Sequence, residues 1–364
     1  MADLSISGLV KSFGTFRALN GIDVHCADGD YVCLLGPSGC GKSTLLRTIA
    51  GLESYEAGHI LIGGQQVDHL GPGERNIGFA FQNYALYPNM SVKENLAFPL
   101  RAPRHKGKYS EAEIARRITG IVNLLHLEPF VEKPVTALSG GQKQRVALGR
   151  SLIKQPELLL LDEPITHLDA RLRHEMRAEL KLLHQRLGTS TVHVTHDQLE
   201  AMAIADQLVV MNGGKIEQVA SPLDLYRKPR TSFVASFIGD PPMSLLSGRA
   251  VFEHSPRFEF GNCSLPLSAS VVALRPRLDA PNIILGIRSE AVRISTSSNA
   301  LNATVKSHEW VSRQQQIVVQ LAENSIRFRT DKTTPFHIGD VIPLEIELAD
   351  AMAFSAATGQ SFHD

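Results

Sequence analysis

Residues 34–46, LLGPSGCGKSTLL, hold the densest chemistry in the chain. Gly36, Gly41, Lys42 and Ser43 satisfy the spacing G-x-x-x-x-G-K-[ST], with the apolar run Tyr31-Val32-Cys33-Leu34-Leu35 before it and the helix-like TLLRTIAGL after it. Glycines at these positions let the backbone curl, so that successive N–H groups converge on anionic oxygens at a helix N-terminus. Gly36, Pro37, Ser38, Gly39, Cys40, Gly41, Lys42, Ser43 and Thr44 are therefore the expected cradle for nucleotide phosphates. In it Lys42 reaches the β- and γ-phosphates and the Ser43 hydroxyl binds Mg²⁺. Kinases, GTPases, helicases and transport motors all carry such a loop, so it predicts the ligand and leaves the reaction open.

Two further stretches narrow the reaction. In Leu159-Leu160-Leu161-Asp162-Glu163-Pro164, a buried strand ends in two carboxylates. Asp162 is suited to hold Mg²⁺, directly or through water, and Glu163 to polarise an attacking water. In Leu138-Ser139-Gly140-Gly141-Gln142, continued by KQRVALGR, two glycines between a hydroxyl and an amide open a helix and make a second anion-binding N-terminus. Taken alone, LSGG also describes an ordinary Gly-rich helix start. A protein with one phosphate loop gains little from a second unless two chains share each nucleotide.

These residues need a scaffold, and the hydrophobic pattern supplies one. Leu158 to Leu161, Thr191 to Thr195 and Leu208 to Met211 are short apolar runs that read as parallel strands covered on both faces. Between them lie helical stripes. Ser110 and Glu113 form a capping box ahead of Ile114, Ile118, Ile121, Val122 and Leu125, and a helix over about 170–187 carries Leu172, Met176, Leu180, Leu183 and Leu187 before Gly188 stops it. Residues 1 to about 25 alternate as β-structure, and ILIGGQQV at 60–67 reads as a hairpin about Gly63-Gly64. Residues 1–235 are thus expected to form an α/β nucleotide-binding domain. Past Gly239-Asp240-Pro241-Pro242 the helical period fades, and Ile326-Arg327-Phe328-Arg329 and Leu344-Glu345-Ile346-Glu347-Leu348 alternate cleanly. Residues 236–364 are expected to form a smaller all-β, barrel-like domain.

The bulk numbers exclude more than they select. Lys plus Arg and Asp plus Glu balance at 37 each, which gives no electrostatic case for a nucleic-acid partner. Cys26, Cys33, Cys40 and Cys263 show no C-x-x-C pair and no disulfide framework. Cys40 lies inside the loop, so alkylating it is expected to obstruct the triphosphate. MADLSISGLV lacks the basic and apolar regions of a signal peptide, and no stretch approaches the ~18 apolar residues of a membrane span. The expectation is a soluble chain that docks on a membrane protein.

The order of these motifs resembles one family. LSGGQKQRVALGR, between the phosphate loop and the Asp162-Glu163 strand end, is similar to the signature of ABC-type ATPases; kinases and GTPases lack it, and there is no N-K-x-D base-reading motif. The resemblance implies an α/β phosphate-loop ATPase with a helical subdomain, and it implies ATP and Mg²⁺. Gln82 in FAFQNYALYP resembles the loop glutamine that touches Mg²⁺ and the attacking water. Asp169 in ITHLDA resembles the D-loop aspartate, His196 in VTHDQLEAM the switch histidine at the γ-phosphate, and Phe13 in VKSFG the adenine-stacking aromatic. Two copies would face head to tail, each ATP lying between one chain's phosphate loop and Ser139, Gly140, Gly141 and Gln142 of the other. The roles implied are phosphate neutralisation for Lys42, general base for Glu163 and γ-phosphate contact for His196.

QNYALYPNMSVKENLAFPL, VTHDQLEAM and LGIRSEAVRIS further resemble the subfamily that powers binding-protein-dependent importers of sugars, polyols and glycerol phosphate, whose tail is a tandem OB-like domain of the TOBE or MOP type. The implied partners are two transmembrane permease subunits and, through them, a periplasmic solute-binding protein, at the cytoplasmic side of a bacterial inner membrane. Polyamine, iron and sulfate importers share every motif, and a soluble ABC ATPase acting on DNA or ribosomes is the alternative of another class. Thr166-His167 replace the small polar pair usual before the D-loop Leu-Asp, and VKSHEWVSRQQQIVVQL lacks the expected Glu-x-Leu-Gly.

Overall fold

The computed structural model describes residues 2–103, 107–278, 280–297, 300–331 and 335–363. The chain divides into two compact units, Met1–Pro222 and Leu223–Asp364.

The first unit opens with two long antiparallel strands, β1 (Leu4–Phe13) and β2 (Phe16–Cys26). β3 (Tyr31–Leu35) is buried at every position and leads through the glycine loop into α1 (Lys42–Ile49). β4 (Ala57–Ile62) and β5 (Gln65–Gln66) form the hairpin expected about Gly63-Gly64, both glycines at positive φ. β6 (Ile77–Ala80) follows; its four residues are too few for a pattern to be seen in the sequence.

Three helices come next: α2 (Val92–Arg101), α3 (Glu111–Leu124) and α4 (Gly140–Leu152). Ser91 and Ser139 each cap their helix in a full reciprocal box, with Glu94 and Gln142. At α3 only half of the expected box forms: Ser110 Oγ accepts from the Glu113 N–H, while the Glu113 carboxylate turns to Arg117 at 2.9 Å. The unit continues with β7 (Leu158–Asp162), α5 (Ala170–Leu187), β8 (Ser190–Val194), α6 (Gln198–Ile204), β9 (Gln207–Asn212) and β10 (Lys215–Ala220). α5 buries Met176, Leu180 and Leu183, one stripe at helical spacing, and ends at Gly188 in the left-handed region.

Among the described residues, one sheet runs β10-β9-β3-β8-β7-β6, with β6, β7, β8, β3 and β9 mutually parallel. A second runs β2-β1-β4-β5. β3, β7 and β8 are buried along their whole length, so their apolar runs carry no alternation, as the sequence suggested. Because these strands are parallel, the segments after β3, β6, β7 and β8 emerge at one edge of the sheet. That edge is where doubly wound sheets bind ligands.

The second unit begins within α7 (Pro222–Arg227) and continues with α8 (Ser232–Phe237), so the boundary expected between 235 and 236 falls inside α8. α8 packs here because Ala235 is covered by Met243, Met352 and Phe354 of this unit. Its strands form two five-stranded sheets among the described residues. One joins 263–266, 257–260, 244–251, 282–287 and 352–355; the other joins 292–294, 341–346, 301–311, 314–321 and 324–330. Phe258, Leu285, Val305, Ile317 and Phe328 from both sheets share one core, which makes this unit the expected all-β domain.

Candidate active site

The loop between β3 and α1 is shaped by what its glycines avoid. Gly36 has φ 155°, and a Cβ there would lie 2.2 Å from the Met211 carbonyl oxygen and 2.6 Å from Cys40 Sγ. Gly41 has φ 107°, and a Cβ would meet the Ala18 carbonyl oxygen at 2.5 Å. Side chains at either position would push the loop off the sheet. Lys42 is buried and folds back over the loop, its Nζ donating to the Gly36 carbonyl at 2.8 Å and the Pro37 carbonyl at 2.9 Å. An ammonium held by two neutral carbonyls is available to an incoming anion, which offers a full opposite charge.

Beside the loop, the Ser43 hydroxyl donates to Asp162 Oδ1 at 3.0 Å. Burial pushes the Asp162 carboxyl above its usual range, against that hydrogen bond. Glu163 follows with φ 46°, unusual for a residue with a side chain, and its N–H donates to the Val194 carbonyl of β8 at 2.9 Å. This kink turns the carboxylate away from its strand. Glu163 Oε2 accepts from Gln82 Nε2 at 2.9 Å and lies 3.3 Å from His196 Nδ1. Three residues nominated from distant stretches of sequence thus meet on one oxygen atom.

A cleft of about 340 Å³ lies over this arrangement, lined by Phe13, Phe16, Ala18, Ser38, Gly39, Gly41, Lys42, Ser43, Thr44, Glu163 and His196. Phe13 and Phe16 are paired across the β1–β2 turn and remain 48% and 59% exposed, two aromatic faces presented to solvent beside a phosphate loop. Lys11 Nζ lies 4.7 Å from the Phe13 ring centroid. Phe16 and Ala18 escape a reading from sequence, since only the fold brings β2 alongside the loop.

Cys40 departs from expectation. Its thiol is 4% exposed and belongs to the hydrophobic core behind the loop. The loop curls so that Cys40 is covered, its Sγ 3.7 Å from Lys42 Nζ, and it does not line the cleft. Maleimide is therefore expected to modify the half-buried Cys263 well before Cys40, and peptide mapping after brief labelling checks it. Labelling of Cys40 first would mean that the loop opens readily.

Ser139, Gly140, Gly141, Gln142 and Asp169 do not line the cleft. Ser139 and Gln142 cap α4, Asp169 caps α5 by accepting from the Leu172 N–H at 2.9 Å, and Leu168 and Leu172 pack against Gly140 and Gly141. A second Gly-rich, capped helix start thus exists on the same unit, outside the lining of the cleft.

Two arginines that motif reading missed brace the site. Arg75, 5% exposed, donates to the carbonyls of Leu70, Thr48 and Ile49, and so caps the C-terminal end of α1. Arg150, near the end of α4, donates to the carbonyls of Ala85 at 2.6 Å and Tyr84 at 3.0 Å. Both of those residues stand at positive φ, just after Gln82.

The same grouping of elements is found in known proteins. The family model described as ABC transporter matches residues 19–166, and one described as TOBE domain matches 285–354. An sn-glycerol-3-phosphate import ATP-binding protein of Rhizobium johnstonii is 40% identical over 99% of both chains. Similarly named proteins of Cereibacter sphaeroides and Burkholderia pseudomallei are 40% and 41% identical, also over 99% of each chain. The chain belongs to the ATP-binding proteins of ABC transporters. Two solved structures of a dimeric bacterial ABC transporter cassette, one in a post-hydrolysis state with ADP and Pi, align with TM-scores of 0.54. They are 29% and 30% identical and cover 60% of this chain and 98% of theirs. As an ABC ATPase the chain hydrolyses ATP.

Proposed function

We propose that this ABC ATPase drives an importer of glycerol phosphate or a related sugar or polyol, as a homodimer on the cytoplasmic face of a bacterial inner membrane. The chemistry rests on one observation: Glu163 Oε2 is shared by Gln82 and His196 at the mouth of the phosphate loop. The cargo rests on relatives named for sn-glycerol-3-phosphate import along the whole chain, tail included. No helix among the described residues is long and apolar enough to cross a membrane, in keeping with attachment through permease subunits and, beyond them, a solute-binding protein.

Hydrolysis is transfer of the γ-phosphoryl group to water, so positioning and charge stabilisation do most of the work. Lys42 exchanges its two carbonyl partners for the β- and γ-phosphates. Phe13 stacks on the adenine, with the loop from Gly36 to Thr44 wrapping the phosphates. Glu163 accepts the proton of the attacking water, Gln82 orients that water, and His196 contacts the γ-phosphate. Ser139, Gly140, Gly141, Gln142 and Asp169 act on the partner subunit's nucleotide, which accounts for a second helix start kept away from the chain's own cleft. Ser43, Asp162 and Gln82 fit Mg²⁺: the first two are oxygen donors 3.0 Å apart, and the raised Asp162 carboxyl lacks the charge a cation brings. Bound there, the ion would neutralise phosphate charge.

The permease-docking surface is assigned to residues 83–100. Tyr87 and Phe98 meet at 4.3 Å between ring centroids while staying 38% and 39% exposed, and the fully buried Asn95 pins Tyr87 through its N–H at 2.9 Å and its carbonyl at 3.1 Å. A rigid, exposed aromatic pair suits an apolar partner segment. The test is co-expression with the permease subunits, then co-purification and ATP-dependent uptake of labelled glycerol phosphate in proteoliposomes. Tyr87→Glu and Met90→Glu are expected to abolish co-purification and uptake while ATP binding by the free subunit persists. Uptake undiminished by either substitution moves the docking surface elsewhere, and a fully assembled complex that ignores glycerol phosphate but carries another solute overturns the cargo.

A further inference from the structure

Behind the exposed switch histidine lies a buried polar chain that the proposed chemistry does not use. The Thr195 hydroxyl, fully buried, donates to Glu200 Oε2 at 2.6 Å and accepts from the Asp197 N–H at 3.0 Å. The Asp197 carboxylate in turn accepts from the N–H groups of Leu199 and Glu200 at 2.9 and 3.2 Å. Thr195, Asp197 and Glu200 thus close a ring of hydrogen bonds around His196, whose own side chain is 52% exposed. The Thr195 N–H is also tied to the Leu34 carbonyl of β3, at the root of the phosphate loop.

The carboxylate at the centre of this ring is held from behind. Glu200 is 2% exposed, and its other oxygen lies 3.2 Å from His193 Nε2, close enough to pair electrostatically without the alignment of a hydrogen bond. His193 Nδ1 lies 2.8 Å from the Tyr31 hydroxyl. A Tyr31 hydroxyl that donates to Nδ1 leaves the proton of a neutral ring on Nε2, the nitrogen that faces Glu200. Burial pushes the Glu200 carboxyl up, but His193 and the Thr195 hydroxyl outweigh it and hold the group below its usual range. His184, which meets the Tyr31 ring edge-on at 5.0 Å, Arg177, Cys33, Asp206 and Asp162 are further titratable groups facing this chain.

We propose that Glu200 is a positioning residue for hydrolysis: through Thr195 it fixes the turn that aims His196, and Tyr31 and His193 hold its carboxylate for that task. A buried carboxylate is a costly way to stabilise a core. Through the Thr195 hydroxyl Glu200 is joined to the turn that carries His196. Misaiming a contact group by about 1 Å can cost ~10²-fold in rate with binding intact.

The inference rests on His196 acting in hydrolysis, and the experiment separates the two. Steady-state kcat and KM for MgATP are measured on the full chain for Thr195→Val, Thr195→Ser, Glu200→Gln, His196→Ala and the double variant Thr195→Val/His196→Ala. Thr195→Val is expected to lower kcat by about 10- to 100-fold with KM within about twofold, Thr195→Ser to restore it, and the double variant to be no worse than His196→Ala alone. Proton NMR of the His196 ring should shift in Thr195→Val, a readout independent of turnover. If Thr195→Val fails to fold, Glu200→Gln carries the same expectation. Wild-type kcat in the threonine and glutamate variants, or losses that multiply in the double variant, overturns the proposal. A wild-type rate in His196→Ala removes His196 from the mechanism and takes the proposal with it.

Discussion

Glu163→Gln is expected to bind ATP and stop there. Gln keeps the length of the side chain and a carbonyl oxygen that can still accept from Gln82, so the cleft retains its shape. Proton acceptance is lost, and removal of a general base typically costs ~10²–10⁴-fold, or about 3–5 kcal/mol of barrier at 1.36 kcal/mol per tenfold. The backbone at residue 163 should be unmoved, since its positive φ and its bond to the Val194 carbonyl do not involve the side chain. With hydrolysis blocked, the ATP-bound state accumulates, and because each nucleotide is proposed to bridge two chains, that state is a dimer. Phosphate release and size-exclusion chromatography with and without MgATP read both effects. Near-normal hydrolysis removes Glu163 as the base. Slow hydrolysis without an ATP-dependent gain in dimer would count against a shared nucleotide, and crosslinking Ser139 to the partner subunit's phosphate loop decides it.

Arg75→Ala should produce the largest loss of stability near the site without touching the nucleotide. The guanidinium donates to three carbonyls, those of Leu70, Thr48 and Ile49; the latter two bonds are buried and cap the last turn of α1, where the Thr48 carbonyl also accepts from the Gly51 N–H. A helix end buried without partners is unfavourable, and hydrogen bonds from charged donors contribute ~1.5–3 kcal/mol each, so a loss of about 3–5 kcal/mol from the first unit is expected. Lysine should recover little, because one ammonium cannot reproduce the planar fork. Native-state hydrogen exchange of α1 amides, beside the KM for ATP, is the appropriate measurement. Unchanged protection of α1 would show that the helix end finds other partners.

The site was legible in the sequence where its chemistry is local. The phosphate loop is a contiguous pattern with a strand before it and a helix after it, and Asp162 and Glu163 end a run whose unbroken apolar character already implied burial on both faces. The convergence of Gln82, Glu163 and His196 needed the parallel order β6-β7-β8, which apolar runs suggest but do not fix. Orientation was hidden. Residue 40 was visible as a loop position, yet only the curl imposed at Gly36 and Gly41 turns its thiol inward. Arg75, Arg150 and Phe16 carried no signal, because each acts on a segment far from it in sequence or across a turn, and an arginine in a polar stretch reads as solvated. The glutamate of the capping box at α3 was misread for a related reason: Arg117, one turn on, competes for it.

α4 connects two places that chemistry alone would treat separately. Its first turn is the Ser139 cap, and near its far end Arg150 grips the carbonyls of Tyr84 and Ala85. Thirteen residues of α-helix form a rod about 20 Å long. Rods do not absorb displacement along their length, and the guanidinium bonds leave little slack at the joint. A shove delivered to the Tyr84–Tyr87 segment is therefore expected to reach Ser139, as motion of a crank handle reaches its pin. The cassette needs no deformable relay between those two points, only a lever already cut to length.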